Sequence, residues 1–151
     1  MANSLCEVLL TEARLEAPRI IVDPACGAIV DFWGVVRELE DGREIAGIDY
    51  EAHGAMAEHH LRLVADAAAS KFQLKQVIIH HRVGFVSVGE ASLFLQVRAE
   101  HRAAAFRAGE WIVDELKRRV PIWKRPKFQM DNQPAQKSRL PPRTGPVLSS
   151  R

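Results

Sequence analysis

The sequence predicts an α+β fold, a sandwich with helices on a mostly antiparallel or mixed sheet. Apolar residues recur at spacings of three and four in two long stretches, Gly54 to Phe72 and His101 to Val120, which predicts two amphipathic helices. Short runs rich in β-branched and aromatic residues, bounded by Gly, Pro and Asp, lie before and between them and read as strands. No glycine-rich phosphate loop follows any of these runs, so neither a P-loop nor a dinucleotide fold is indicated. With one further short helix, the order is strand, helix, two strands, helix, three strands, helix.

Taken in order, Leu5 to Leu10 is an apolar run suited to a first strand, and Leu15 to Val22 a brief helix with Pro18 in its first turn. Asp23-Pro24 marks a turn. GAIVDFWGVVR, Gly27 to Arg37, reads as a mostly buried strand. Glu38 to Arg43 reads as a mobile polar loop turning at Asp41-Gly42. Glu44 to Glu51 alternates as a half-buried strand with Ala46, Ile48 and Tyr50 on one face. The helix Gly54 to Phe72 carries Leu61, Val64, Ala68 and Phe72 as its stripe. Gln76 to Arg82, Phe85 to Val88 and Ala91 to Val97 read as strands, with Val83-Gly84 and Gly89-Glu90 as turns. In the last helix Phe106, Gly109, Val113, Leu116 and Val120 form the buried face. Pro121 ends it, and Trp123 and Lys124 follow in a loop or short strand.

The chain has 151 residues, 47% of them hydrophobic, enough for one domain with a core, expected over residues 1–128. Residues 129–151 hold four prolines and many polar residues without periodicity, and read as a flexible or extended basic tail. No apolar run approaches the roughly 18 residues that span a bilayer. The N-terminus lacks a basic region followed by an apolar one, so no secretory signal is expected. Two cysteines, Cys6 and Cys26, are too few for a disulfide framework and lack metal-type spacing. A reducing cytoplasmic setting is expected.

The net charge of +2 hides an asymmetry. From Leu116 onward there are ten Lys or Arg against Asp131 alone, whereas the preceding 115 residues hold eleven bases and eighteen acids. An acidic body with a basic end suits a phosphate, a nucleic acid or an acidic protein partner. Aromatic residues are scarce in the basic tail, so stacking platforms for single-stranded nucleic acid are scarce too.

Among candidate residues, Arg37 ends an apolar strand beside a loop, where it can hold a ligand or simply solvate the strand end. His101 and Arg102 open the last helix, where free backbone N–H groups and the helix dipole favour an anion. An imidazole and a guanidinium add a switchable donor and a bidentate fork; a helix start that happens to be basic is the plain alternative. Arg118 has Asp114 four residues back and Arg119 has Glu115, both favourable ion pairs, whereas Lys117 has Val113 there. Lys117 borders the apolar stripe, a setting suited to nucleophilic or acid–base work. Lys124 emerges beyond Pro121. His53, His59 and His60 lack the i, i+4 spacing of a helical zinc motif. His80 and His81 point to opposite faces of a strand, so packing or surface roles are expected for them and no metal site is indicated.

GAIVDFWGVVR, the strand ending DYEAH, VGFVSVGEAS, and HR opening a helix that ends DELKRRVPIWK together resemble the large, catalytic subunits of molybdopterin synthase. The resemblance covers roughly residues 5 to 128. It implies an α/β hammerhead-like fold with an added antiparallel sheet region. It also implies an enzyme that converts cyclic pyranopterin monophosphate into molybdopterin by installing two sulfurs as a dithiolene. The sulfur arrives as a thiocarboxylate at the C-terminal Gly-Gly of a small ubiquitin-like subunit, whose tail threads into the large one. Two large subunits pair as a homodimer with a small subunit at each end. No cofactor or metal is implied for this step. Carried over by motif, Lys117 and Lys124 are the catalytic pair reached by the thiocarboxylate, and Arg37, His101 and Arg102 bind the pterin's phosphate and polar edge. Family members usually have proline where this chain has Glu100, and an ordered segment where it has residues 129–151. The alternative reading is a non-catalytic anion- or nucleic-acid-binding module using the basic C-terminal region.

Overall fold

The computed structural model describes residues 5–20 and 23–129. The expected tail lies outside the described residues, apart from Gln129. Eight strands and two helices follow in the order β1 (Cys6–Thr11), β2 (Ala28–Val35), β3 (Leu39–Glu40), β4 (Arg43–Ala52), α1 (Gly54–Phe72), β5 (Gln76–Arg82), β6 (Gly84–Ser87), β7 (Ala91–Ala99), α2 (Arg102–Arg119) and β8 (Ile122–Phe128).

The architecture is the expected α+β one, with the strands divided between two sheets. The first runs β1-β5-β7-β2 and is mixed, because β1 is parallel to β5 while the other pairs are antiparallel. The second is antiparallel, with β4 flanked by β8 along one side and by β3 and β6 along the other. Both helices pack on the first sheet. Leu61, Val64 and Ala68 of α1 and Ala105, Ala108, Ile112 and Leu116 of α2 meet Val77, Ile79, Leu95 and Val97. A smaller core of Val36, Ile45, Ile48, Tyr50 and Val86 lies on the second sheet, and Ile122 packs against both. The cores are joined because Pro121 cannot continue α2, so the chain turns extended at Val120 and crosses to pair with β4. That short stretch beyond the proline is a full strand, which its three basic residues and Pro126 concealed.

Several expectations need correction. Leu15 to Ile20 is irregular rather than helical, and residues 21–22 lie outside the described residues. Pro18 offers no amide hydrogen and disfavours the helical region at Ala17, and a stretch this short cannot repay helix nucleation. β2 is an edge strand and not mostly buried: Ile29, Phe32, Trp33 and Val35 are 37–52% exposed. In β4 a register shift between Ile45 and Gly47 turns Ile45 inward and leaves Ala46 exposed, while Ile48 and Tyr50 face in as expected. On α2, Phe106 is 63% exposed and Ala105 and Ala108 take the inward positions; Gly109, Leu116 and Val120 are buried and Val113 partly so. Asp41 and Gly42 do form the turn, both with positive φ (50° and 75°), and they close a tight hairpin of β3 on β4 rather than a long loop.

Candidate active site

A cleft of about 460 Å³ opens where the ends of the two sheets meet the C-terminal end of α2. Its charged lining residues are Arg37, Lys117 and Lys124. Each comes from a different element. Arg37 follows β2 just past its bulge at Gly34/Val35, Lys117 sits in the last turn of α2, and Lys124 is carried by β8 opposite Tyr50 of β4. The apolar floor includes Leu61, Leu93 and Leu116. No carboxylate lines the cleft, and among the described residues none of the three cations has an acidic side chain within 4 Å. Three unneutralised cations over a low-dielectric floor make an anion trap. Lys117 and Lys124 are both exposed at the rim, so Lys117 stands in solvent beside the apolar stripe and not beneath it.

The arginines next to Lys117 are otherwise engaged. Arg118 and Arg119 both converge on Glu115, at 3.1 and 2.8 Å, instead of dividing between Asp114 and Glu115. Glu115 is the acid on the buried side of the helix, only 6% exposed, while Asp114 faces solvent. The contact of Arg119 with Glu115 Oε2 is an ion pair without hydrogen-bond alignment. Consuming both arginines there leaves Lys117 as the unpaired cation of the Lys117–Arg119 run.

His101 and Arg102 lie elsewhere. They line a separate recess of about 570 Å³ with Gly27, Glu100 and Ala103, at the opposite end of α2. Sixteen residues of helix separate His101 from Lys117, about 24 Å at the usual rise. Within one copy, therefore, Arg37, Lys117 and Lys124 are brought together, and His101 and Arg102 are not brought to them. The recess has the expected helix N-terminus: His101 is the extended residue before α2, it makes no side-chain cap, and the first turn holds no acid. Glu100 stands beside it, its carboxylate 3.6 Å from His101 Nε2.

Three polar residues of the cleft were not singled out from sequence for this site: Tyr50, His81 and Ser92. Burial pushes the Tyr50 phenol up from its ordinary value, opposed by the Ser92 hydroxyl beside it. The Ser92 hydroxyl also donates to the Gly34 carbonyl at 3.4 Å. His81 Nδ1 lies 2.7 Å from the Arg82 carbonyl, and its ring meets Tyr50 edge-on at 5.2 Å. Burial holds its imidazole below the ordinary value, with the Lys124 charge adding to the effect. The signal was faint. His81 is set apart from His80 only by strand alternation, which turns His80 instead toward Phe94 and to within 3.0 Å of Glu7.

A sequence profile described as "MoaE protein" matches residues 10–119. The chain is 37% identical over 110 residues to the human "Molybdopterin synthase catalytic subunit", a match covering 73% of this chain and 58% of that protein. It is 40% identical over 110 residues to the protein of the same name from Pyrococcus abyssi, covering 73% and 74%. The chain thus spans well under two thirds of the human relative and about three quarters of the archaeal one. Among solved structures, molybdopterin synthase from Staphylococcus aureus superposes with a TM-score of 0.68 at 32% identity, covering 72% of this chain and 79% of that one. A complex of subunits 1 and 2 of molybdopterin-converting factor from Helicobacter pylori shares the fold, with a TM-score of 0.59 at 17% identity, covering 85% and 92%.

Proposed function

From the premise that this chain belongs to the MoaE protein family, we propose that it is the catalytic subunit of a molybdopterin synthase, acting as a sulfurtransferase in molybdenum cofactor biosynthesis. The substrate is cyclic pyranopterin monophosphate. The donor is the C-terminal thiocarboxylate of a small ubiquitin-like subunit ending in Gly-Gly, and the setting is the reducing cytoplasm. The observation that carries the reading is the convergence of Arg37, Lys117 and Lys124 on one acid-free cleft. Both reactants are anions, a phosphate monoester and a thiocarboxylate, and such a cleft holds them together against their mutual repulsion. Lys117 and Lys124 neutralise the charge that develops as sulfur attacks the pterin carbon, or pass a proton to the departing oxygen. Arg37 offers a planar fork to the phosphate or the pterin edge.

His101 and Arg102 belong to the same reaction if the site is built from two copies. Among the described residues β2 pairs only with β7, which leaves its other edge open, and Ile29, Phe32, Trp33 and Val35 on its two faces are exposed. Its Ala28 end lies beside the His101 recess and its Val35 end leads to Arg37. A two-fold antiparallel apposition of two such strands sets the first end of one copy against the second end of the other. The homodimer then places one copy's His101 and Arg102 near the other copy's Arg37, Lys117 and Lys124, where they supply further anion contacts.

The test is to combine the purified chain with a thiocarboxylated small subunit and the cyclic precursor, and to assay dithiolene product. Product is expected. Its absence, in an assay where a family member of known activity succeeds, overturns the reading.

A further inference from the structure

His81 occupies a position that packing alone does not account for. It is the penultimate residue of β5, opposite Leu93 of β7 and Leu10 of β1, and alternation turns its ring toward the cleft. Its Nδ1 is 2.7 Å from the Arg82 carbonyl. A carbonyl oxygen only accepts, so Nδ1 carries the hydrogen, and in the neutral ring Nε2 is left as a bare acceptor. The carbonyl is steady because the Arg82 side chain is itself tied down, to Glu90 at 2.6 Å and to the Glu12 carbonyl at 3.2 Å. The edge of Tyr50 holds the ring from β4. Tyr50 is in turn the register partner of Lys124 on β8, so His81, Tyr50 and Lys124 meet where the two sheets cross.

The charges around His81 explain why an imidazole suits this place. Lys124 faces it from β8, Lys117 from α2 and Arg37 from the end of β2, while β4 contributes the neutral Tyr50 and β7 the neutral Ser92. No carboxylate is present to stabilise an imidazolium. A cleft built for anions has no anionic side chain with which to orient its own lysines. A neutral ring nitrogen is an acceptor that can do so without cancelling their charge.

We propose that His81 is a positioning residue for Lys124, its bare Nε2 accepting a hydrogen bond from the Lys124 ammonium when the cleft is occupied. The bond fixes where that charge sits above the reacting atoms. Protonation of Nε2 removes the acceptor, adds a fourth positive charge and drives Lys124 outward, so the same residue sets the acid limit of the site. The turnover arm of the test rests on the sulfur-transfer reading, and the coupling arm does not.

The coupling arm follows the His81 ring by nitrogen-15 NMR in the full chain. The Nδ1–H tautomer is expected, with a midpoint below the ordinary value of 6.5. Lys124→Met raises that midpoint by removing the facing charge, and Lys71→Met, on the outer side of α1 beside Phe72, leaves it unmoved. The turnover arm compares pH profiles. His81→Gln keeps a neutral acceptor that does not titrate, so it retains turnover and loses the acid limb of wild type. His81→Phe fills the space without an acceptor and lowers kcat on the order of 10²-fold, the scale of a misplaced catalytic group, with KM little changed. A His81 midpoint that ignores Lys124→Met overturns the proposal, and so does an acid limb that survives in His81→Gln. If His81→Phe does not fold, the NMR arm and His81→Gln decide the matter. If wild type makes no product, the sulfur-transfer reading fails while the NMR arm still decides this one.

Discussion

Gly27 lies so close to Glu100 that a Cβ at residue 27 would overlap the Glu100 carbonyl oxygen. The atom in the way belongs to the main chain, so no flexible side chain can yield. It sets the start of β2 against the turn that delivers His101 and Arg102 to the head of α2. Gly27→Ala should therefore cost about 1–3 kcal/mol, the usual range for overpacking, and weaken phosphate binding at the recess. Gly109 provides the contrast, because it is buried in α2 yet a Cβ there meets nothing within 4 Å. Gly109→Ala should stabilise by about 0.5–1 kcal/mol through helix propensity. Denaturant unfolding of both variants checks the opposite signs.

Lys117 and Lys124 are exposed and unpaired among the described residues, so neither supports the fold. Lys117→Ala and Lys124→Ala should each shift stability by less than about 0.5 kcal/mol while nearly abolishing dithiolene formation. Arg118→Ala and Arg119→Ala remove charges from the same helical turn, but ones held by Glu115, and should retain most activity. Equal losses in all four variants would show that bulk positive charge matters and position does not.

Much of this was legible in the sequence, and the failures have physical causes. α1 was readable because its stripe of Leu61, Val64 and Ala68 is periodic and undisturbed. The Asp41-Gly42 turn was readable because both positions need positive φ. The burial of β2 was misread because a run of apolar residues on an exposed edge strand has the composition of a buried one. β8 was left between a loop and a short strand because Lys124, Arg125 and Lys127 interrupt the apolar alternation that marks a strand. At the site, the resemblance paired Lys117 with Lys124; the structure adds Arg37 to their cleft and leaves His101 and Arg102 in another recess. His101 and Lys117 stand at opposite ends of α2, so one copy alone does not bring them together.

Glu90 ties the β6–β7 turn to two distant arginines, Arg14 at 2.8 Å and Arg82 at 2.6 Å. Hydrogen bonds from Arg14 and Arg82 hold its carboxyl below the ordinary value of 4.5, against a smaller opposing effect of desolvation. A carboxyl whose folded value is depressed contributes stability that is fully present above the unfolded value and is lost as pH falls through the folded one. Wild type should therefore exceed Glu90→Gln in stability at pH 7, and the two should converge as the pH drops below 4.5. Unfolding midpoints measured from pH 7 downward check this. A gap that persists at the acid end would assign the effect to packing instead of charge.

The composite site makes a prediction that no single-copy site can satisfy. Lys117→Ala removes the proposed catalytic cation from the cleft of its own copy, and a His101→Ala/Arg102→Ala double variant removes the anion contacts it would lend to the other. In a mixed dimer one of the two sites loses everything and the other keeps Lys117, His101 and Arg102 together. With random exchange, half of the dimers are mixed, so two inactive preparations should regain about a quarter of wild-type activity on unfolding and refolding together, as two-fold symmetry dictates. If the five residues acted within one copy, every site would lack one group or the other and the mixture would stay inactive. Recovery of activity after co-refolding, measured against each variant refolded alone, therefore distinguishes a site shared across β2 from two separate recesses on one chain.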